Sequence, residues 1–384
     1  MKLNSLAKFS LLSISILLMS HLAISPVIPN LYRLYNSQNP NIGLASVESL
    51  ATIPAMMITV FVLLSNFIIK GIGKKNTVLL GLTLIFIFGL VPVFTTNFKI
   101  VFISRLLLGA GIGLFNSLSI SMISDFFDED TRGTMIGMRT AFLNIGKALT
   151  TFISGYLIIY GVQYTFLVYA LALPIFVLFL VFVPNPKNKE SKQISIKFHK
   201  ETIILTLLTL LVGISYMGAT IKIPTLLVEK YHLHPEVSRN LLTILAISGI
   251  FSGFLFGELV KKFKNLTLSI MLLFMTCGSF IFANFHSSIL FTIGAILIGI
   301  SFVGTMSFNF FYISKKLENK YINFATSVIL VGGNIGVILT PVVLTKLPEI
   351  FRLEKYITPF YITTILMLIC TIISYFALKN DKKN

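Results

Sequence analysis

The 384-residue sequence predicts an all-α integral membrane protein with twelve transmembrane helices in two pseudo-symmetric six-helix bundles. Three observations carry this reading. First, the chain is 55% hydrophobic and only 12% charged, with a mean hydropathy of +0.89. Soluble domains carry about 25% charged residues, so lipid is the solvent that suits most of this chain. Second, its apolar runs are about 20 residues long, the length a helix needs to cross a bilayer, and they lack the alternation of barrel strands. Third, short motifs recur between the two halves of the chain in the same order.

Each span has a reason to begin and end. Span 1 is predicted at 9–30, behind Lys2 and Lys8. A basic start before an apolar run also marks signal peptides, but this run is long and eleven more follow. Span 2 (45–69) runs up to Lys70, and span 3 (77–95) begins after Lys74-Lys75. Span 4 (100–125) closes at Asp125, the first of an acidic group with Asp128, Glu129 and Asp130. Span 5 (135–159) ends before Gly161 and span 6 (163–183) before Pro184. Span 7 (202–227) stops short of Glu229-Lys230, and span 8 (238–260) stops at Lys261-Lys262. Spans 9 (266–285) and 10 (288–313) are separated by His286 and Ser287. Span 11 (322–345) ends at Lys346 and span 12 (357–378) at Lys379. The longest polar tract, residues 184–201, is dominated by Pro, Asn and Lys. It reads as a linker between an N-terminal bundle, 1–183, and a C-terminal bundle, 202–384.

Charge sets the expected orientation. With the N-terminus inside, twenty of the 31 Lys and Arg fall in cytoplasmic loops, tails or adjoining helix ends. Seven fall outside: Arg33, Lys99, Lys230, Arg239, Lys346, Arg352 and Lys355. This is a positive-inside bias, and it predicts a multi-pass protein of the plasma membrane with both termini and the linker cytoplasmic. The net charge of +17 then serves topology and contact with anionic lipid in the bilayer. A nucleic-acid partner would need a basic soluble domain, and none is present. Cys277 and Cys370 both lie in apolar spans and suggest neither a disulfide framework nor a metal site.

The two halves follow one plan. Asn144-Ile-Gly-Lys-Ala-Leu-Thr-Thr151 of span 5 matches Asn334-Ile-Gly-Val-Ile-Leu-Thr-Pro341 of span 11 at an offset of 190. Gly109 and Ile123-Ser124 of span 4 match Gly299 and Ile313-Ser314 of span 10 at the same offset. Ile28-Pro-Asn-Leu31 of span 1 matches Ile223-Pro-Thr-Leu226 of span 7 at an offset of 195. A duplicated six-helix unit explains all three, and parallel repeats of this kind place binding sites between the halves near the midplane.

This layout resembles the major facilitator superfamily of secondary transporters. The tract after span 2 is similar to the family signature Gly-x-Leu-Ala-Asp-Arg-x-Gly-Arg-Arg. It keeps the ending as Gly73-Lys74-Lys75 and has Lys70 where the family has Asp. The copy after span 8, from Gly257 to Lys264, has Lys261 at that place. In the family that Asp helps lock one conformational state. Arg105-Leu-Leu-Leu-Gly109 in span 4 also resembles a family motif, whereas the antiporter signature of span 5 is missing. The resemblance implies that spans 1, 4, 7 and 10 line a cavity, flanked by 2, 5, 8 and 11. It also implies alternating access and a monomer, and it points to the multidrug or metabolite efflux type. The residues themselves offer no His/Cys metal spacing, phosphate loop or nucleotide-binding segment, so no cofactor and no enzymatic activity are expected.

Charges in a membrane cost about 2.5–3.5 kcal/mol each at a helix centre, so those within the spans are candidate functional groups. Arg105 and Asn116 lie eleven residues apart on one face of span 4. Lys147 shares its side of span 5 with Asn144, Thr151 and Ser154. Lys222 lies in the outer third of span 7, where it can line an outer mouth or snorkel outward. Arg139 stands near one end of span 5, within reach of the acidic group. Together Arg105, Asn116, Asn144, Lys147 and Lys222 form the expected substrate-binding set. His21 in span 1, with Glu48 and Asp125 near span ends, are the expected carriers of a coupling proton. The expected role is export of a small solute, with an anionic group as one reading. A lipid or amphiphile flippase and a non-transporting membrane sensor are the rivals.

Overall fold

The computed structural model describes residues 4–186 and 199–380, all helix, turn or irregular chain without a strand. The middle of the predicted linker, 187–198, lies outside the described residues, as do both chain ends. The chain divides into two compact units, Met1–Ser191 and Lys192–Asn384.

In the first unit, span 2 is Leu44–Ser65, span 3 Phe67–Phe94, span 4 Phe98–Phe126, span 5 Met135–Tyr160 and span 6 Val162–Phe182. In the second unit, span 7 is Lys200–Lys230, span 9 Leu266–Asn284, span 10 Ser288–Lys316, span 11 Phe324–Ile350 and span 12 Thr358–Phe376. Spans 1 and 8 are bent pairs. Ser5–Leu17 meets Ser20–Gln38 at 42°, and Pro235–Gly253 meets Phe256–Phe263 at 59°. Counting each bent pair once gives twelve spans among the described residues.

Span 1 departs from the straight helix predicted at 9–30. Its middle is built from 3₁₀ turns at Ile14–Leu17, Ser20–Leu22 and Ser25–Val27. The local sequence explains this. Ser10 and Ser13 turn their hydroxyls back onto the carbonyls of Leu6 and Ser10, at 2.8 and 2.9 Å, and such back-bonding bends helices. Pro26 has no N–H to give the ladder, so the chain tightens around it. Prolines act similarly in spans 7 and 11. Pro224 and Pro341 are each followed within two residues by a π-helical turn, Leu226–Lys230 and Val342–Lys346.

Across spans 2 and 3 the chain is helical from Pro54 to Phe94 except at Gly73, inside the stretch Phe67–Phe94, where φ is +80° and ψ 164°. That region belongs almost to glycine alone, so Gly73 is the pivot at which this helical run kinks. Other ends are capped: Asn97 accepts from the N–H of Lys99 and Ile100, and Asp128 from that of Thr131.

Lipid gives helices no hydrophobic reason to associate, so close packing must hold them. In the second unit Phe282 stacks on Phe291 and Phe360 with ring centroids 5.2 and 5.3 Å apart. The repeat-matched glycines do the same work in both units. A methyl group on Gly146 would overlap the Ile16 carbonyl, and one on Gly336 the Leu210 carbonyl. The pair Gly109 and Gly299 press likewise on the carbonyls of Pro54 and Leu245. Span 5 thus crosses span 1 as span 11 crosses span 7.

Candidate functional site

In the first unit, Arg105 is fully buried in span 4. Its Nε donates to the Leu50 carbonyl at 2.7 Å, and its two terminal nitrogens donate to the Tyr169 hydroxyl and the His21 carbonyl. Tyr169 in turn donates to the Ser20 carbonyl at 3.0 Å. The local cause is the broken span 1. There the Ser20 carbonyl accepts from the Ala23 N–H at 2.9 Å as well as from Tyr169, and the His21 carbonyl accepts from Arg105. Arg105 therefore ties spans 1, 2, 4 and 6 together. Asn116, expected to share a face with it, ends the first helical stretch of span 4 and is half-buried.

The His21 side chain is buried within this network, and its Nδ1 has no hydrogen-bond partner among the described residues. Nearby serines of span 1 are alike: Ser15, Ser20 and Ser25 are buried with unpartnered hydroxyls. Lys147, Thr151 and Ser154 of span 5 are buried on one side of their helix, with Asn144. Asn144 spends its amide on the Thr140 carbonyl at 3.0 Å. Glu48, read from sequence as a residue near a span end, is fully buried in the helix Leu44–Thr52.

At one end of this unit, Lys74 makes an ion pair with Asp125 at 2.6 Å. The adjacent Lys75 donates to the Leu180 carbonyl at 2.8 Å. The Gly73 pivot thus lays Lys74 on span 4 and Lys75 on span 6, while Lys70 stays exposed. Arg139 donates from Nε to the Ser119 hydroxyl at 3.0 Å. In the second unit Gly257 and Lys261 are exposed.

Lys222 corrects an expectation. It neither lines an open mouth nor snorkels: it is 1% exposed, and its Nζ donates to the Thr345 hydroxyl at 2.6 Å. The π turn after Pro341 carries Thr345 to that position on span 11.

Spans 7 and 10 bring together a group that the reading of charges missed. Ser301, Thr305 and Asn309 are fully buried on one face of span 10, at i, i+4 and i+8. The hydroxyls of Ser301 and Thr305 and the Asn309 amide oxygen have no hydrogen-bond partner among the described residues. The Asn309 amide nitrogen donates to the Thr209 hydroxyl of span 7 at 2.9 Å. Beside them Tyr216 lies flat on Phe302, with centroids 3.7 Å apart and planes at 7°. Their helical spacing was a visible signal. Tyr169 and Thr345 gave none, since neither is charged or belongs to a motif.

The fold and these clusters can be set beside known proteins. The sequence profile of the Major Facilitator Superfamily matches residues 10–341 and 205–384. An uncharacterized transporter of Rickettsia felis is 24% identical over 229 residues, covering 55% of this chain and 56% of its own. One of Rickettsia bellii is 24% identical over 202 residues, 50% of either chain, so this chain spans about half the length of these relatives it matches. A probable sugar efflux transporter of Haemophilus influenzae is 25% identical over 274 residues, 65% of this chain and 64% of its own. Among solved structures, a D-xylose–proton symporter superposes with a TM-score of 0.76 at 14% identity, over 95% of both chains. A nucleoside transporter gives the same TM-score and identity over 97% of this chain and 99% of its own. These structures speak for the fold alone. The profile spans nearly all of a chain whose apolar helices already make it a multi-pass membrane protein, and the chain belongs to the Major Facilitator Superfamily.

Proposed function

We propose that this protein is a secondary active transporter of the plasma membrane that exports a small, hydroxyl-rich solute by alternating access. The single observation that carries the substrate class is the row Ser301, Thr305 and Asn309, with buried polar atoms left unpartnered beside the Tyr216–Phe302 pair. A buried polar group without a partner costs about 1–3 kcal/mol. A ligand with several hydroxyls offers both donors and acceptors, and aromatic faces suit its C–H surface. The Haemophilus relative named as a probable sugar efflux transporter supports the same class and direction.

The charges fit supporting roles under this reading. Arg105 holds helices, and Lys74–Asp125 is a gate contact rather than a proton carrier. His21, with Nδ1 unpartnered, is the favoured coupling group. A second reading, an anionic solute, rests on the buried Lys147 and Lys222.

The test is counterflow in proteoliposomes with a panel of sugars, polyols, nucleosides and organic acids. A neutral polyhydroxyl solute should exchange, and Asn309→Ala with Thr305→Val should raise its KM at least tenfold. Exchange of organic acids alone, abolished by Lys147→Met, would replace this reading with the second. An imposed pH gradient should drive the wild type and fail to drive His21→Ala.

A further inference from the structure

Two grooves in the second unit are of nearly equal size and differ in what stands at their ends. One, of about 330 Å³, lies between spans 8 and 10, against Ile247, Phe251, Ile296 and Ile300. The other, of about 310 Å³, lies between spans 9 and 12, against Leu266, Leu273, Ile372 and Phe376. The Ser269 and Thr371 hydroxyls on this second groove are spent inside the protein. Ser269 bonds Ser374 at 2.8 Å, and Thr371 bonds the Met367 carbonyl at 2.7 Å. The groove therefore presents carbon, and its walls at Leu273, Ile372 and Phe376 are exposed.

Its end is basic. Lys261, Lys262 and Lys264 are all exposed, and Lys264 precedes the first groove residue, Leu266, by two positions. Lys264 holds φ at +49°, a left-handed conformation that glycine adopts without strain, where its N–H closes the turn onto the Val260 carbonyl at 2.8 Å. By the positive-inside bias this end faces the cytoplasm, and the cytoplasmic leaflet holds anionic lipid. No residue of the other groove is closer than five positions to a Lys or Arg.

We propose that the groove between spans 9 and 12 binds an anionic phospholipid. An acyl chain lies along Leu273 and Ile372, and the phosphate is held by Lys264 with Lys261 and Lys262. Leu273 lies seven residues into span 9, about 10 Å from its basic end, at acyl-chain depth. This site is separate from the solute-binding row and does not depend on which solute is carried.

The chain has no tryptophan, so one introduced residue reports without background. Full-length Leu273→Trp and Ile296→Trp proteins are reconstituted in phosphatidylcholine containing either brominated phosphatidylglycerol or brominated phosphatidylcholine at equal mole fraction. At Leu273→Trp the brominated phosphatidylglycerol should quench at least twofold more than the brominated phosphatidylcholine. At Ile296→Trp the two should quench alike. Changing Lys261, Lys262 and Lys264 to Gln in the Leu273→Trp protein should erase the preference. Those side chains are exposed, and unchanged circular dichroism confirms the fold. Equal quenching at Leu273→Trp overturns the proposal. So does a preference that survives the lysine changes, or the same preference at Ile296→Trp, which would mark a general anionic coat.

Discussion

A guanidinium sealed from water must find partners for its donors, and Arg105 finds two of them on backbone carbonyls of other spans. Hydrogen bonds to a charged group are worth about 1.5–3 kcal/mol each, and a lysine offers no planar fork to reach three acceptors at once. Tyr169→Phe should therefore lower stability by about 1.5–3 kcal/mol, and Arg105→Lys by more, read as melting temperature in detergent. Because both residues act in one network, the double variant should lose less than the sum of the single losses. Additive losses would mean that Arg105 and Tyr169 act independently. Glu354 gives a pH prediction outside the spans. Burial works to raise its carboxyl, but the Ile357 N–H, the Lys230 ammonium at 3.0 Å and the Tyr356 N–H outweigh it and hold the group below its ordinary value of 4.5. A lowered acid contributes stability at neutral pH and loses it as pH falls below that ordinary value through the lowered one. The pair is well exposed, so the contribution is under about 1 kcal/mol. The wild type should lose slightly more stability between pH 7 and pH 3 than Glu354→Gln does, measured by the same melts.

At the scale of elements, glycine decides where helices touch and where they turn. Gly146 and Gly336 occupy matched positions and meet carbonyls of spans 1 and 7. A methyl at either must separate two helices, so Gly146→Ala and Gly336→Ala should each cost about 1–3 kcal/mol of packing. Similar losses from both, in parallel melts, would show that the duplicated crossing carries equal weight in each unit. Gly73→Ala tests the pivot. The strained φ should cost about 1–3 kcal/mol, whereas Gly257→Ala, at an ordinary helical and open position, should be nearly neutral. The bend in span 1 was legible only in part. Pro26 and the serines were visible, but helical hydropathy over 9–30 masked the change to 3₁₀ turns. Hydropathy counts carbon and is blind to which carbonyl a donor reaches.

At the scale of the whole molecule, the orientation read from charge remains a prediction of its own. In a background with Cys277 and Cys370 replaced, cysteines at Lys192 and Lys355 should react with impermeant maleimide from opposite faces of the membrane. Reaction of both from one face would overturn the twelve-span arrangement. The candidate site was half legible. Arg105, Lys147 and His21 stood out because charge and imidazole are rare in apolar runs, and all three are buried in the first unit. The Ser301, Thr305 and Asn309 row did not stand out, since hydroxyls and amides are cheap enough in a helix to pass unnoticed.

The sequence by itself determined the solvent, the length and place of the spans, and the duplicated plan. These depend on local hydropathy and on residues a few turns apart. Only the tertiary structure decided what Arg105, Lys222 and Lys74 meet. Arg105 meets carbonyls 84 and 55 residues away, Lys222 a hydroxyl 123 away and Lys74 a carboxylate 51 away. Whether a charge is free for a ligand or spent on a neighbour depends on such long-range acceptors. In a low-dielectric interior these contacts are strong enough to set the role of the residue, and nothing in the local pattern announces them.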